Sequence, residues 1–421
     1  MICEFKMAKG NEKLTMRIAQ HNILGVIEQQ YLPVLEHPLA AIEQAIKSPI
    51  ETPPLLELLQ RKQPQSVAIV VNDVTRPTPY QLMLPPLLAT LRAVGIRDDQ
   101  ITLVIATGIH RPNTRAENER IFGREIVERL RLISHNPDDD LVNCGVLSDG
   151  QELFLNKWVA NADFIINTGL ITLHYFAGFS GGRKSTLPGV ASREMIEYNH
   201  SRMNEPGCSS GSIATNPVHK TMLEAARIIG VDFILNVVTN STKQIVAVVA
   251  GDVEEAWLVG TEICRQCSTV TIAERADVVI VSAGGYPKDI NLYQAQKALE
   301  HAAQATNPGG TIIICASCAE GYGEDVFEQW MDEAECWQDL FDHFERGFEL
   351  GGHKAFALAR AVADKQVIWV SDLTPAILEN IMMDHAASLE EALDRVRDKH
   401  GADYKAYIMP AGASVLPIVS K

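Results

Sequence analysis

Long apolar runs are missing from this chain of 421 residues. No stretch of about eighteen apolar residues occurs, so nothing reads as a membrane-spanning helix. The first residues, 1–13, are polar and lack the apolar core of a signal peptide. Positive charge is scarce as well. Lys and Arg number 37 against 53 Asp and Glu, a formal net charge of −16, and no basic block interrupts the deficit. That excludes a nucleic-acid surface and makes any local basic residue a candidate for an anionic ligand. Cysteine is sparse: eight in a chain this long do not make a disulfide scaffold. Two pairs, Cys264-Arg-Gln-Cys267 and Cys315-Ala-Ser-Cys318, have metal-ligand spacing. The first falls one turn apart on a predicted helix and the second closes an apolar strand, so both read as core rather than zinc. Internal repeats and low-complexity segments are absent too. What remains, 46% hydrophobic and 21% charged, is ordinary for a soluble globular protein long enough for two domains. The expected location is the cytoplasm, with neither membrane nor nucleic acid as partner.

The order of segments is strand, polar loop, helix, repeated. A buried strand over 66–71 ends in Asn72-Asp73-Val74-Thr75-Arg76-Pro77-Thr78-Pro79, where two prolines forbid helix and hold the loop extended. A helix follows over 81–94. The strand 101–106 ends in Thr107-Gly108-Ile109-His110-Arg111-Pro112, and Thr114 to Glu117 is a capping box opening the next helix. Strands over 130–134 and 163–167 continue the pattern. Such alternation predicts an α/β sheet with its loops gathered on one edge, the edge at which open sheets bind ligands. Asp73, Arg76 and His110 stand on that edge. Their plain readings are an ion pair closing a turn and a hydrogen-bonded structural histidine. A second unit begins near Thr269, with a strand over 277–282, a glycine loop at Gly284-Gly285, and a helix over 291–305 carrying Tyr293, Gln294 and Lys297. The predicted division is 1–268 and 269–421, with the last strand, near 404–410, a candidate to pack back on the first domain.

One stretch dominates. From Asn167 to His200 the chain carries His174, a glycine cluster around Ser180-Gly181-Gly182, the basic pair Arg183-Lys184, and a short helix ending in Asn199-His200. Glycines let backbone approach a ligand and turn N–H groups toward an anion. The stretch narrowly misses the phosphate-loop pattern: Lys184-Ser185 supply the final pair, but Arg183 precedes the lysine where glycine belongs. A glycine-rich surface turn is the bland alternative and leaves the two histidines unexplained. The loop 203–217 has the composition of a mobile segment or lid.

Taken together, Asn72-Asp73-Val-Thr75-Arg76-Pro77, Ala106-Thr-Gly108-Ile-His110-Arg111, His174-Tyr-Phe176-Ala-Gly-Phe-Ser-Gly-Gly-Arg-Lys184, Asn199-His200 and Asn291-Leu-Tyr293-Gln294-Ala-Gln-Lys297 resemble the nickel-dependent lactate racemase family. The resemblance implies two α/β domains with the active site in the cleft between them. It implies a nickel-pincer nucleotide (pyridinium-3,5-bisthiocarboxylic acid mononucleotide) held through Lys184, with Ser180, Gly181, Gly182 and Asp73 as further cofactor-binding residues. His200 is the implied nickel ligand, and His110 and His174 the implied acid/base pair. Arg76 is the implied carboxylate binder, with Tyr293, Gln294 and Lys297 approaching substrate from the second domain. The implied partners are a small 2-hydroxy acid and the proteins that build the cofactor. In lactate-type members a tryptophan lies near the substrate methyl, at a position that aligns here with Gly351-Gly352-His353-Lys354. A small or polar residue there leaves room for a longer or more polar acid.

Chemistry fits these residue types. The α-hydrogen of a 2-hydroxy acid is too weakly acidic for a histidine to remove. Taking it as hydride and returning it to the other face is the alternative. The hydroxyl proton then lies on opposite sides for the two enantiomers, which calls for two histidines. An arginine can fork onto the carboxylate as a pivot. Two other functions stay open at this point. A phosphate-loop-like kinase or ATPase has no use for His174 and His200. A non-catalytic sensor of a nucleotide or hydroxy acid on the same scaffold does not need both His110 and His174.

Overall fold

A computed structural model describes residues 1–240 and 242–420. The chain divides into two compact units, Tyr31–Cys267 and the combination of Met1–Gln30 with Ser268–Lys421. Both are α/β, as the alternation of segments predicts.

In the unit Tyr31–Cys267 six strands form one sheet. Their order is Ile245–Gly251, Phe233–Thr239, Phe164–Ile171, Val67–Asn72, Ile101–Ala106 and Arg131–Ser134. All neighbours run parallel except the edge pair Phe233–Thr239 with Ile245–Gly251. Val67–Val71 and Ile101–Ile105 are buried along their whole length, as expected for strands covered on both faces. Helices Pro38–Lys47, Leu55–Lys62 and Tyr80–Ala93 supply Ile42, Leu59, Met83 and Leu87 to the core on one face. In register, Asn72 faces Ala106 across one strand pair and Asn236 faces Gly169 across another. The loops after Asn72, Ala106 and Ile171 therefore leave from one edge of the sheet.

The second sheet orders Asp384–His385, Gln366–Val370, Thr306–Cys315, Ala276–Ser282, Ala406–Met409 and Ile23–Val26, every pair parallel. The division differs from the predicted boundary at residue 268 in its first thirty residues. Ile23–Val26 adds an edge strand beside Ala406–Met409. The hairpin Ile2–Lys9 with Glu12–Ala19 buries Met7, Met16 and Ile18 among Ile280, Ile313 and Ile368. Apolar burial thus ties the N-terminus to the C-terminal part of the chain. The same pairing keeps the late strand Ala406–Met409 in this second sheet rather than on the first domain.

Both cysteine pairs are core. Cys264 and Cys267 lie in an apolar cluster with Ile171, Phe179 and Trp257. Burial pushes the Cys315 thiol up to about 12 and the Cys318 thiol higher still, away from the thiolate that binds metal. No described helix is long and apolar enough to cross a membrane.

Candidate active site

The Lys184 segment is clamped from several sides. It forms a short 3-10 turn, Gly182–Ser185. Asn167 Nδ2 donates to Thr186 Oγ1 at 2.9 Å and to Gly182 O at 3.3 Å. Gly182 N–H donates to Asn236 Oδ1 at 3.1 Å, and Ser185 Oγ to Thr168 O at 3.1 Å. Arg183, fully buried, stretches back along the preceding loop. Its Nη2 donates to Ala177 O, its Nη1 to Phe179 O, each at 2.9 Å, and Nη1 also reaches Gly181 O at 3.2 Å. Nε donates to His219 Nδ1 at 3.0 Å, and the guanidinium lies 3.6 Å over the Trp257 ring. Across residues 181–187 Lys184 alone is not buried.

The glycines answer to packing. At Gly181, with φ +77°, a Cβ would come within 2.8 Å of Ile171; at Gly182, with φ +54°, within 2.7 Å of Trp257. The Gly182 amide already donates inward, and the Ser180 hydroxyl donates to Leu170 O while accepting from Thr172 N–H. In this conformation the Gly182 amide, one of the N–H groups expected to face an anion, and the Ser180 hydroxyl, implied to bind the cofactor, bond within the fold. The loop 203–217, expected to be mobile or a lid, is stitched down. Asn216 Nδ2 donates to Phe176 O at 2.7 Å and Gly211 N–H to Gly178 O at 3.0 Å, and Gly178 has no room for a side chain against Ser212 O.

Three of the candidate residues meet on one ring that the sequence reading did not single out. Phe176 is buried. His174 packs edge-on against it at 4.6 Å and His200 at 5.0 Å between centroids, and Lys184 Nζ lies 5.8 Å from its centre. The only sequence signal was its place between His174 and the glycines, where an aromatic reads as core. Burial first, and the charge of Lys184 second, push the His200 imidazole down to about 3 against an opposing bond from the Ile196 backbone. The ring is neutral near pH 7. His200 is the penultimate residue of the helix Arg193–Ser201, whose N-cap Ser192 accepts from Met195 N–H. The hairpin Leu141–Val146 with Glu152–Asn156 braces that helix: the hydroxyl of Tyr198 donates to Asp149 at the hairpin tip, and Ser192 N–H donates to Phe154 O.

At the next loop Asp73 is buried and His110 half exposed. The turn expected at Asp73–Arg76 is there, Arg76 N–H donating to Asp73 O at 3.2 Å, but it is His110 that pairs with the Asp73 carboxylate. His110 Nδ1 lies 2.6 Å from Asp73 Oδ2, and Thr75 Oγ1 donates to Asp73 Oδ1 at 2.6 Å. Burial alone would raise the Asp73 carboxyl. The bond and charge of His110, the charge of Arg76 and the Thr75 bond together hold it below its ordinary value. Arg76 is exposed and donates to Thr75 Oγ1 at 2.8 Å.

In the other unit Asn291 caps the helix Leu292–Ala305 by accepting from Gln294 N–H. Tyr293, Gln294 and Lys297 are partly exposed there, and Lys297 Nζ donates to Gln294 Oε1 at 2.7 Å. The small residues expected to leave room do not leave it open. A side chain at Gly352 would overlap the indole of Trp330, itself buried. Lys354, also buried, donates to Gln296 Oε1 and lies 5.0 Å from the Tyr293 ring.

Residues 9–211 match the family described as lactate racemase N-terminal domain, and residues 270–417 the lactate racemase C-terminal domain. The chain is 37% identical over 385 residues to a lactate racemase of Lactiplantibacillus plantarum, covering 89% of this chain and 90% of that one. It is 34% identical over 420 residues to a lactate racemase of Thermoanaerobacterium thermosaccharolyticum, covering 97% of each. The solved structure of the lactate racemase apoprotein from Thermoanaerobacterium thermosaccharolyticum superposes with a TM-score of 0.93 over 100% of both chains. A Thermotoga maritima protein, 17% identical with a TM-score of 0.67 over 93% of this chain and 100% of its own, shares the fold.

Proposed function

As a member of the lactate racemase family this chain is an isomerase, and we propose that it inverts C2 of a 2-hydroxy acid by moving the α-hydrogen as hydride, with a nickel-pincer nucleotide carried on Lys184. The observation that carries this reading is the convergence of Lys184, His174 and His200 on the ring of Phe176.

The residues present fit such a group. Lys184 is the partly exposed member of a buried, clamped segment, so its amine is the atom offered for attachment. A neutral imidazole is the form that ligates metal, and His200 is neutral. Among the described residues no group of three His, Cys, Asp or Glu could hold a metal ion. His200 would thus hold a metal together with donors from the bound group, whose sulfur atoms would suit nickel. When bound, that group supplies the acceptor and donor for hydride.

The chain's own residues do the rest. The exposed guanidinium of Arg76 forks onto the substrate carboxylate and fixes the pivot. His110 and His174 handle the hydroxyl proton, one for each enantiomer. Both oxygens of Asp73 are engaged by His110 and Thr75, so we assign Asp73 to orienting His110 rather than to holding the nucleotide. Tyr293, Gln294 and Lys297 keep the substrate-binding role the resemblance implies, and proteins of cofactor biosynthesis remain the proposed source of the nucleotide.

Two measurements test this. Protein made beside the cofactor-building enzymes should gain a nucleotide-sized mass that Lys184→Ala loses, and His200→Ala should keep the mass but lose nickel. Racemisation in D₂O should leave protium on the α-carbon of the product. Deuterium entering the α-carbon in step with inversion would overturn the hydride reading, and an active protein with unmodified Lys184 would overturn the attachment.

A further inference from the structure

The two histidines of the hydroxyl proton meet opposite partners. His110 Nδ1 faces Asp73 Oδ2 at 2.6 Å. Asp73, held ionised below its ordinary value, can only accept. The proton therefore sits on His110 Nδ1, which leaves the lone pair on Nε2. His174 is the reverse case. The Ala177 backbone N–H donates to His174 Nδ1 at 3.3 Å, and a backbone amide can only donate. Nδ1 must carry the lone pair, and the neutral ring bears its proton on Nε2.

The amide that sets this is itself fixed. The carbonyl of the same peptide unit, Phe176 O, accepts from Asn216 Nδ2 at 2.7 Å. The next carbonyl, Ala177 O, accepts from Arg183 Nη2 at 2.9 Å. The His174 ring is packed against Phe176 at 4.6 Å and stacked on Tyr175 at 5.2 Å, so it does not turn freely to exchange one nitrogen for the other.

We propose that this protein holds His110 and His174 in opposite neutral tautomers, with Asp73 and the Ala177 amide as the positioning groups. The proposal rests on the reading that both rings serve the hydroxyl proton, and it adds an asymmetry to that reading. His110 rests as a base. His174 rests as an N–H donor. It becomes a base at Nε2 only by giving that proton to water and taking one from water at Nδ1, which costs the bond to Ala177. The enantiomer whose hydroxyl lies beside His110 is thus served by the resting protein, and its mirror image is not.

The test uses full-length protein without cofactor, labelled with ¹⁵N in its histidines, at alkaline pH. Long-range proton–nitrogen correlation separates protonated from unprotonated ring nitrogens, and spectra of His110→Gln and His174→Gln assign two of the twelve rings. The expected result is a protonated Nδ1 on His110 and a protonated Nε2 on His174. The same tautomer on both rings would overturn the proposal, whatever the variants below do. Asp73→Ala should move His110 toward the Nε2–H form and leave His174 unchanged; His110 keeping its Nδ1 proton without Asp73 would count against it. Loss of the imidazole in His174→Leu should speed hydrogen exchange at the Ala177 amide, and an unchanged rate there would remove the second positioning group. Because the protein carries no cofactor in these measurements, their failure is separate from failure of the hydride chemistry, which isotope retention reads.

Discussion

Arg183 and Lys184 are neighbours with opposite fates. In sequence they are a basic pair beside glycines. In the fold Arg183 collects the carbonyls of residues 177, 179 and 181 and stacks on Trp257, while Lys184 is left partly exposed. The motif singled out the lysine but not the inward turn of the arginine, because nothing local says which of two cations turns inward. An ammonium has no planar fork with which to span several carbonyls. Arg183→Lys should therefore destabilise the protein by roughly 2–4 kcal/mol, since buried acceptors lose their donor. Chemical denaturation measures this, and an unchanged midpoint would mean the loop holds itself. Arg76 poses the opposite case, an exposed guanidinium with its work still to do. Arg76→Lys should lower turnover about tenfold or more, about 1.4 kcal/mol at least, with stability unchanged. Steady-state kinetics of the loaded enzyme decides it, and wild-type rates would place the carboxylate elsewhere.

Among the elements, the hairpin Leu141–Val146 with Glu152–Asn156 acts on the site without entering it. Its tip residue Asp149 accepts from Tyr198, two positions before His200, and its second strand pairs with Ala191 through Leu155. Groups that orient a metal ligand typically change metal affinity 10–100-fold when removed. Tyr198→Phe should accordingly release nickel about tenfold faster from loaded protein, with the Lys184 adduct intact by mass. Equal release rates would reduce the hairpin to scaffolding. This hairpin was invisible in the sequence because its ladder is irregular: the register shifts between Asn143 and Val146, which breaks the alternation a strand shows. The parallel strands were legible for the contrary reason. Ile101–Ala106 is apolar but for Thr102 and was found at its own boundaries, and Thr114 announced its helix through the capping box with Glu117. Composition misled at 203–217, where Ser and Gly suggested mobility. The Asn216 side-chain amide and the Gly211 N–H are spent on the carbonyls of Phe176 and Gly178, which composition does not reveal.

At the scale of the whole chain, the unit Tyr31–Cys267 interrupts the other one. The second sheet needs Ile23–Val26 from before the interruption and Ala406–Met409 from near the end. Expressed separately, residues 31–267 should unfold cooperatively, since both faces of their sheet are covered by their own helices. Residues 268–421 alone lack the edge strand and the hairpin that supplies Met7, Met16 and Ile18 to their core. They should be loosely folded and should gain order when residues 1–30 are supplied as a peptide, which circular dichroism would show. A well-ordered 268–421 fragment would make the N-terminal segment an ornament. The same arrangement sets a timetable for synthesis. A ribosome releases the middle unit as a continuous stretch that can fold while translation proceeds, at about 5–20 residues per second. The first thirty residues have no sheet to join until the last strands emerge, and through that wait the nascent hairpin carries its methionines uncovered.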